Sequence, residues 1–342
     1  MKERGDMKGT KKFLIGGAVS ALMLAGYLYE KRSGARDFDR LKPPGKRIPV
    51  NGHSLYIHAM GERLPGRPTV VMESGHGDWS MCWRKVQPEV AKFARVVSYD
   101  RAGFGWSDSG PLPRSPEQIV DELHVLLERA GEKPPYLFVG HSMGAPLSRT
   151  FHRCYPNEVA GFVWVDPAHE QLGSFFSFWP KVYVAFQLAM RLGLALATFG
   201  VPRLMGKGAA RRGYAREQDD PAGAVLPVQV ATPKFFKVLY DETESLMAGK
   251  GWDGAPTNLG DLPVISIEVV YPDRPQFGYP VMYWDHFRAG WRAMQQSSAG
   301  LSTNQRRIPV EGGHVVMLEH PQVVIDAVRE MYEKIAQRVL GG

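Results

Sequence analysis

Short apolar runs of four to six residues recur along most of the chain, each closed by glycine, proline or a polar turn residue. The clearest are Thr69-Val70-Val71-Met72-Glu73, Arg95-Val96-Val97-Ser98-Tyr99, Tyr136-Leu137-Phe138-Val139, Gly161-Phe162-Val163-Trp164-Val165, Leu262-Pro263-Val264-Ile265-Ser266-Ile267 and Arg307-Ile308-Pro309-Val310. Runs this short and this continuous predict strands buried on both faces, as in a parallel sheet, rather than helices. A strongly periodic segment from Pro321 to Leu340 predicts a closing helix. Two stretches break the pattern. Phe13–Tyr29 is uncharged and rich in Leu, Ala and Gly, and 175–197 is apolar nearly all round, broken by the charges of Lys181 and Arg191.

The first of these stretches, seventeen residues between Lys11-Lys12 and Glu30-Lys31-Arg32, reaches the short end of the range for a spanning helix. It reads as an uncleaved signal anchor. A cleaved signal peptide fits less well, because the run is longer than usual, follows a twelve-residue charged leader, and has no small-x-small site before Tyr27. Basic residues on both flanks leave the side of the membrane undecided. Residues 1–47 hold twelve Lys/Arg and five Asp/Glu, a net +7 that equals the charge of the whole chain, so the remainder is balanced. A nucleic-acid partner is therefore not expected, and attraction of the juxtamembrane segment to anionic lipid is the simpler account. Two cysteines, Cys82 and Cys154, are too few for a disulfide framework, and no metal-ligand spacing occurs, so no cofactor or metal is expected.

Candidate chemistry begins at Gly140-His141-Ser142-Met143-Gly144, which follows one predicted strand and precedes a helical segment with Pro146 in its first turn. A strand turning sharply into a helix presents its serine at the apex, and Gly140 and Gly144 give the clearance such a turn needs. Ser142 is the candidate nucleophile. A serine needs a base and a group that orients the base. In the chain order Ser, acid, His, the base is His314, in the loop Glu311-Gly312-Gly313-His314 after the last predicted strand. His53, His58, His124, His152, His286 and His320 read as surface or core residues. Two aspartates end strands and remain open as the acid: Asp166, after Val165, and Asp273, in Tyr271-Pro272-Asp273-Arg274, where Arg274 also permits a plain ion pair. Oxyanion donors are expected from the backbone N–H of Met143 and, in Ser74-Gly75-His76-Gly77 after an earlier strand, of His76.

With these pieces in place the chain resembles the α/β-hydrolase superfamily. Asp100-Arg101-Ala102-Gly103-Phe104-Gly105-Trp106-Ser107 looks like its D-R-x-G-x-G-x-S loop, in which Asp100 and Arg101 read as structural, and Gly75 to Trp83 looks like its oxyanion loop, with Ser74 where the family usually has histidine. The resemblance covers roughly 48–170 and 259–342. It implies a mostly parallel eight-stranded sheet with helices on both faces, and it favours Asp166, because some members carry the acid after the earlier strand. Serine at the elbow argues against the epoxide-hydrolase and haloalkane-dehalogenase branches, whose patterns carry aspartate there.

The expected organisation is a membrane anchor and basic linker (1–47), a first core part (48–170), a helical cap (171–258) and a second core part (259–342), with Arg203 to Asp220 as a surface loop. The expected activity is hydrolysis of a carboxylic ester, thioester or amide of a small hydrophobic acyl substrate, with membrane lipid as a partner of the N-terminal helix and of a greasy cap. An acyltransferase or small-peptide aminopeptidase on the same residues, or a non-catalytic ligand-binding protein of this fold, are the alternatives.

Overall fold

The computed structural model describes residues 3–205, 222–247, 252, 258–274 and 283–340. Eight strands form one sheet: β1 (Lys46–Val50), β2 (His53–Met60), β3 (Thr69–Glu73), β4 (Val96–Asp100), β5 (Tyr136–His141), β6 (Val159–Val165), β7 (Val264–Val270) and β8 (Gln305–Glu311). Their spatial order is β1-β2-β4-β3-β5-β6-β7-β8. The β1–β2 and β2–β4 pairs are antiparallel, and every later pair is parallel.

In β3 to β7 the continuous apolar runs are explained by period-two alternation with both faces buried. By contrast β8, at the edge of the sheet, is exposed or half-buried along its length, so the run Arg307-Ile308-Pro309-Val310 is a strand but not one buried on both faces. Val70, Met72, Leu137, Val139, Val163, Val165 and Ile265 join one core cluster, which includes Val324, Val328 and Met331 of the last helix. Their neighbours Val71, Tyr136, Phe138, Phe162, Trp164 and Val264 join a second cluster with Val120, Leu123 and Phe151. The helices α2 (Gln87–Val90), α3 (Pro116–Ala130), α4 (Gly144–Cys154), α5 (Trp179–Thr198), α6 (Val201–Met205), α7 (Ala222–Gln229), α8 (Pro233–Glu242), α9 (Trp284–Ser297), α10 (Val316–Glu319) and α11 (Pro321–Leu340) follow the 39-residue α1 (Glu3–Leu41). Strand β7 runs three residues past Ile267, through Glu268-Val269-Val270.

Two compact units make up the chain. Residues 44–187 and 238–342 form the unit that holds the sheet, and residues 1–43 with 188–237 form the other. Of the segment read as a cap, 188–237 therefore belongs with α1. Within the loop expected over Arg203–Asp220, Arg203, Leu204 and Met205 belong to α6, and 206–220 lies outside the described residues.

Candidate active site

At the C-terminal end of β5 the chain turns through Ser142, whose φ of 51° lies in the left-handed region. A non-glycine residue there costs on the order of 1–3 kcal/mol and persists only where its surroundings enforce it. Here the enforcement is visible. Ser142 N donates to Val165 O at 3.1 Å, and its carbonyl accepts from Ala145 N and Ala168 N, each at 3.1 Å. A Cβ on Gly140 would stand 2.7 Å from the Gly144 carbonyl carbon, and one on Gly144 would collide with the Glu73 carbonyl oxygen, so both positions need glycine.

Strand β8 delivers His314 through the Gly312-Gly313 turn. Its Nδ1 lies 2.6 Å from Oδ2 of Asp166, which is fully buried at the end of β6. Asp166 also has a left-handed backbone, with φ 45°. Four more donors converge on its carboxylate: Tyr271 Oη on Oδ2 at 2.6 Å, and Trp291 Nε1 (2.9 Å), Gln295 Nε2 (2.8 Å) and Val269 N (3.2 Å) on Oδ1. Burial alone would raise the Asp166 pKa, but the bond and charge of His314 and the bonds from Tyr271 and Trp291 outweigh it and hold the carboxyl below its usual range. His141 Nε2 donates to the His314 carbonyl at 2.9 Å, and Gly313 N to Glu319 at 2.7 Å, which fix the loop that carries the imidazole. Asp273 is elsewhere. Its side chain is 91% exposed and pairs with Arg288 at 2.6 Å, not with the adjacent Arg274.

The loop after β3 is shaped from below by Arg101. Its guanidinium donates to Ser74 O (2.7 Å) and Gly75 O (2.8 Å), and it is held by Glu73 (2.9 Å) and Glu242 (2.8 and 3.0 Å). With those carbonyls engaged, the next backbone N–H, that of His76, has no protein acceptor among the described hydrogen bonds, and neither does that of Met143. The His76 ring is 3.0 Å from Thr243 Oγ1, and burial lowers its pKa, which favours the neutral ring. Ser74, at the position where the resemblance expected histidine, accepts from Trp83 Nε1 at 3.2 Å. Asp100 accepts from Ser80 N (2.9 Å) and Trp106 N (2.8 Å), a role in loop shape. Cys82 is buried, Cys154 is exposed, and both are free thiols.

Ser142, Met143, His76 and His314 line one cavity of about 340 Å³, within the size range of small-molecule sites. The rest of its wall is mainly apolar, including Phe176, Phe178, Trp179, Val182 and Phe186. A model of the Alpha/beta hydrolase family matches residues 64–327. The chain belongs to the alpha/beta hydrolase family.

The curated relatives carry diverse names. Uncharacterized protein YqjL of Bacillus subtilis is 36% identical over 119 residues, 35% of this chain and 47% of its own. The (Lyso)-N-acylphosphatidylethanolamine lipase of Bos taurus is 28% identical over 120 residues, 34% and 35% of the two chains. The chain spans less than half the length of the curated relatives it matches first. Among solved structures, a thermophilic esterase from Thermogutta terrifontis superposes with a TM-score of 0.59 over 85% of this chain and 99% of its own, at 18% identity, a likeness of fold.

Sequence reading of this alpha/beta hydrolase did not find Tyr271, Trp291, Gln295 or Glu242. Trp291 and Gln295 sit four apart on one face of α9, a spacing visible in sequence only once that helix is recognised. Nothing local marks Tyr271 or Glu242, which act across more than a hundred residues.

Proposed function

We propose that this alpha/beta hydrolase is a membrane-anchored serine hydrolase that cleaves a carboxylic ester of a hydrophobic acyl substrate. Ser142 Oγ attacks the carbonyl carbon while His314 Nε2 takes its proton. Asp166, bonded to Nδ1, selects the tautomer and stabilises the imidazolium without accepting the proton. The backbone N–H groups of His76 and Met143 hold the oxyanion. His314 then protonates the departing alkoxide, which leaves an acyl-Ser142 ester, and water activated by the same imidazole releases the acid.

One observation carries the reading: a serine held at φ 51° and a histidine 2.6 Å from a buried carboxylate open on the same apolar cavity. Among the described residues the cavity wall contains no carboxylate, which speaks against a small-peptide aminopeptidase that must hold a free amine. The apolar lining and the lipase relative support an acyl substrate. Membrane attachment is supported by Lys12–Asp37 of α1, a stretch long and apolar enough to cross a bilayer, with a mean hydropathy of 1.4 in its most apolar window and 6% of that window buried. The test is turnover of p-nitrophenyl esters of increasing chain length by the full chain in detergent. Wild type should favour medium or long acyl groups, and Ser142→Ala should lose roughly 10⁴-fold or more in kcat. Retention of esterase activity in Ser142→Ala removes the proposal.

A further inference from the structure

The unit formed by residues 1–43 and 188–237 places α1 against the corner between α5 and α6. Contact is at backbone distance. A Cβ on Gly26 would stand 2.5 Å from Phe199 O, and one on Gly200, whose φ is +72°, would stand 3.1 Å from Tyr29 Cδ1. One helical turn further on, Arg203 donates to both oxygens of Glu30, at 2.6 and 2.9 Å, and to Asp37. Gly26, Glu30 and Asp37 are spaced four and seven apart, so they lie on one face of α1, and that face is covered by the corner.

Two surfaces remain. Tyr27 and Tyr29 are part-exposed at the end of the apolar stretch, the place where aromatic side chains settle at a membrane–water interface. At about 1.5 Å of rise per residue, Gly26 lies within roughly 5 Å of their level along the axis, so the Phe199-Gly200 corner is held at interfacial depth in any bilayer that α1 crosses. From that corner an apolar stripe faces outward: Leu188 and Leu192, each 61% exposed, with Leu196 on the same face of α5, then Leu204 (67%) and Met205 (81%) on α6. Charge follows the same division. Lys31, Arg32, Arg36 and Arg40 are exposed just beyond the tyrosines, while Glu30 and Asp37 are engaged by Arg203. Among the described side chains of this collar, the exposed charge is therefore all cationic.

We propose that the α5–α6 stripe is a second membrane-binding surface, lying in the interface of an anionic phospholipid bilayer beside α1. Its leucines and Met205 enter the outer acyl region, and the collar of Lys31, Arg32, Arg36 and Arg40 contacts lipid phosphates. The inference rests on the membrane-anchored reading, and its occupant is lipid because the stripe continues from the helix that spans and carries a complementary charge. Arg203 is the clamp, since it binds the stripe to the anchor and removes two carboxylates from the anionic surface.

The test uses the full chain with Cys154→Ser, an environment-sensitive fluorophore on Leu22→Cys, Leu204→Cys or Lys92→Cys, and vesicles of phosphatidylcholine and phosphatidylserine. Label at 204 should be quenched by nitroxides on the shallow acyl carbons and several-fold less by aqueous iodide than label at 92, while label at 22 responds to deep nitroxides. Adding Arg203→Gln should return the 204 label to iodide and leave 22 unchanged. If 22 is in lipid and 204 is open to iodide, the inference falls and the anchor stands. If 22 is also open to iodide, the anchored reading falls and takes the inference with it. Protection of 204 from both quenchers indicates a protein occupant and equally overturns the proposal.

Discussion

Asp166 receives five hydrogen bonds on two oxygens, from His314, Tyr271, Trp291, Gln295 and the Val269 backbone. Sequence could narrow the acid to two strand-end aspartates but could not choose between them on residues alone, because the donors that distinguish them come from 103 to 148 residues away. The depressed pKa fixes a sign. A carboxylate whose folded pKa is lowered contributes stability above its ordinary pKa and loses it as pH falls through the folded value. Tyr271→Phe removes one of the bonds that lower it, so the folded pKa rises and that contribution shrinks. The variant should be about 1.5–3 kcal/mol less stable than wild type at neutral pH, the usual worth of a hydrogen bond to a charged group. Urea unfolding should show the gap closing as pH drops below the ordinary carboxylate range. A gap that stays constant with pH would mean that Tyr271 acts through packing alone.

At the scale of elements, strands β3 to β7 were legible because both of their faces are buried, which writes an unbroken apolar run into each, whereas β1 and β2, partly exposed, carry no such run. The elbow was legible because its glycines have no substitutes. Gly144→Ala should therefore fail, since the obstructing group is the Glu73 carbonyl of the neighbouring strand and backbone cannot step aside. Overpacking of this kind costs about 1–3 kcal/mol and also displaces Ser142. Gly16→Ala is the matched control, because nothing lies within 4 Å of its added methyl and alanine favours a helix. Thermal melts and esterase turnover should fall for Gly144→Ala and hold for Gly16→Ala; equal behaviour of the two would show that the elbow tolerates a side chain. Helix α5 was less legible. Its apolar residues run nearly all round, and periodicity then does not say which face meets protein and which does not.

For the whole molecule, the charge split at residue 47 and the apolar N-terminal stretch were plain in composition, and the stretch lies within α1. Composition could not show that 188–237 folds with α1, since that rests on Gly26 meeting Phe199 and Arg203 meeting Glu30, pairs separated by about 170 residues of intervening sheet and loops. Family membership and a mostly parallel eight-stranded sheet followed from motifs that report fold, whereas the pocket wall comes from segments whose composition is simply apolar. The account turns on a serine–histidine pair whose acid follows β6. Its most direct test is kcat/KM for a p-nitrophenyl ester with Asp166→Asn and Asp273→Asn side by side. Asp166→Asn should lose on the order of 10⁴-fold, as loss of the orienting carboxylate does in other triads, while Asp273→Asn stays within a few-fold of wild type. Loss in Asp273→Asn with activity kept in Asp166→Asn would contradict the account.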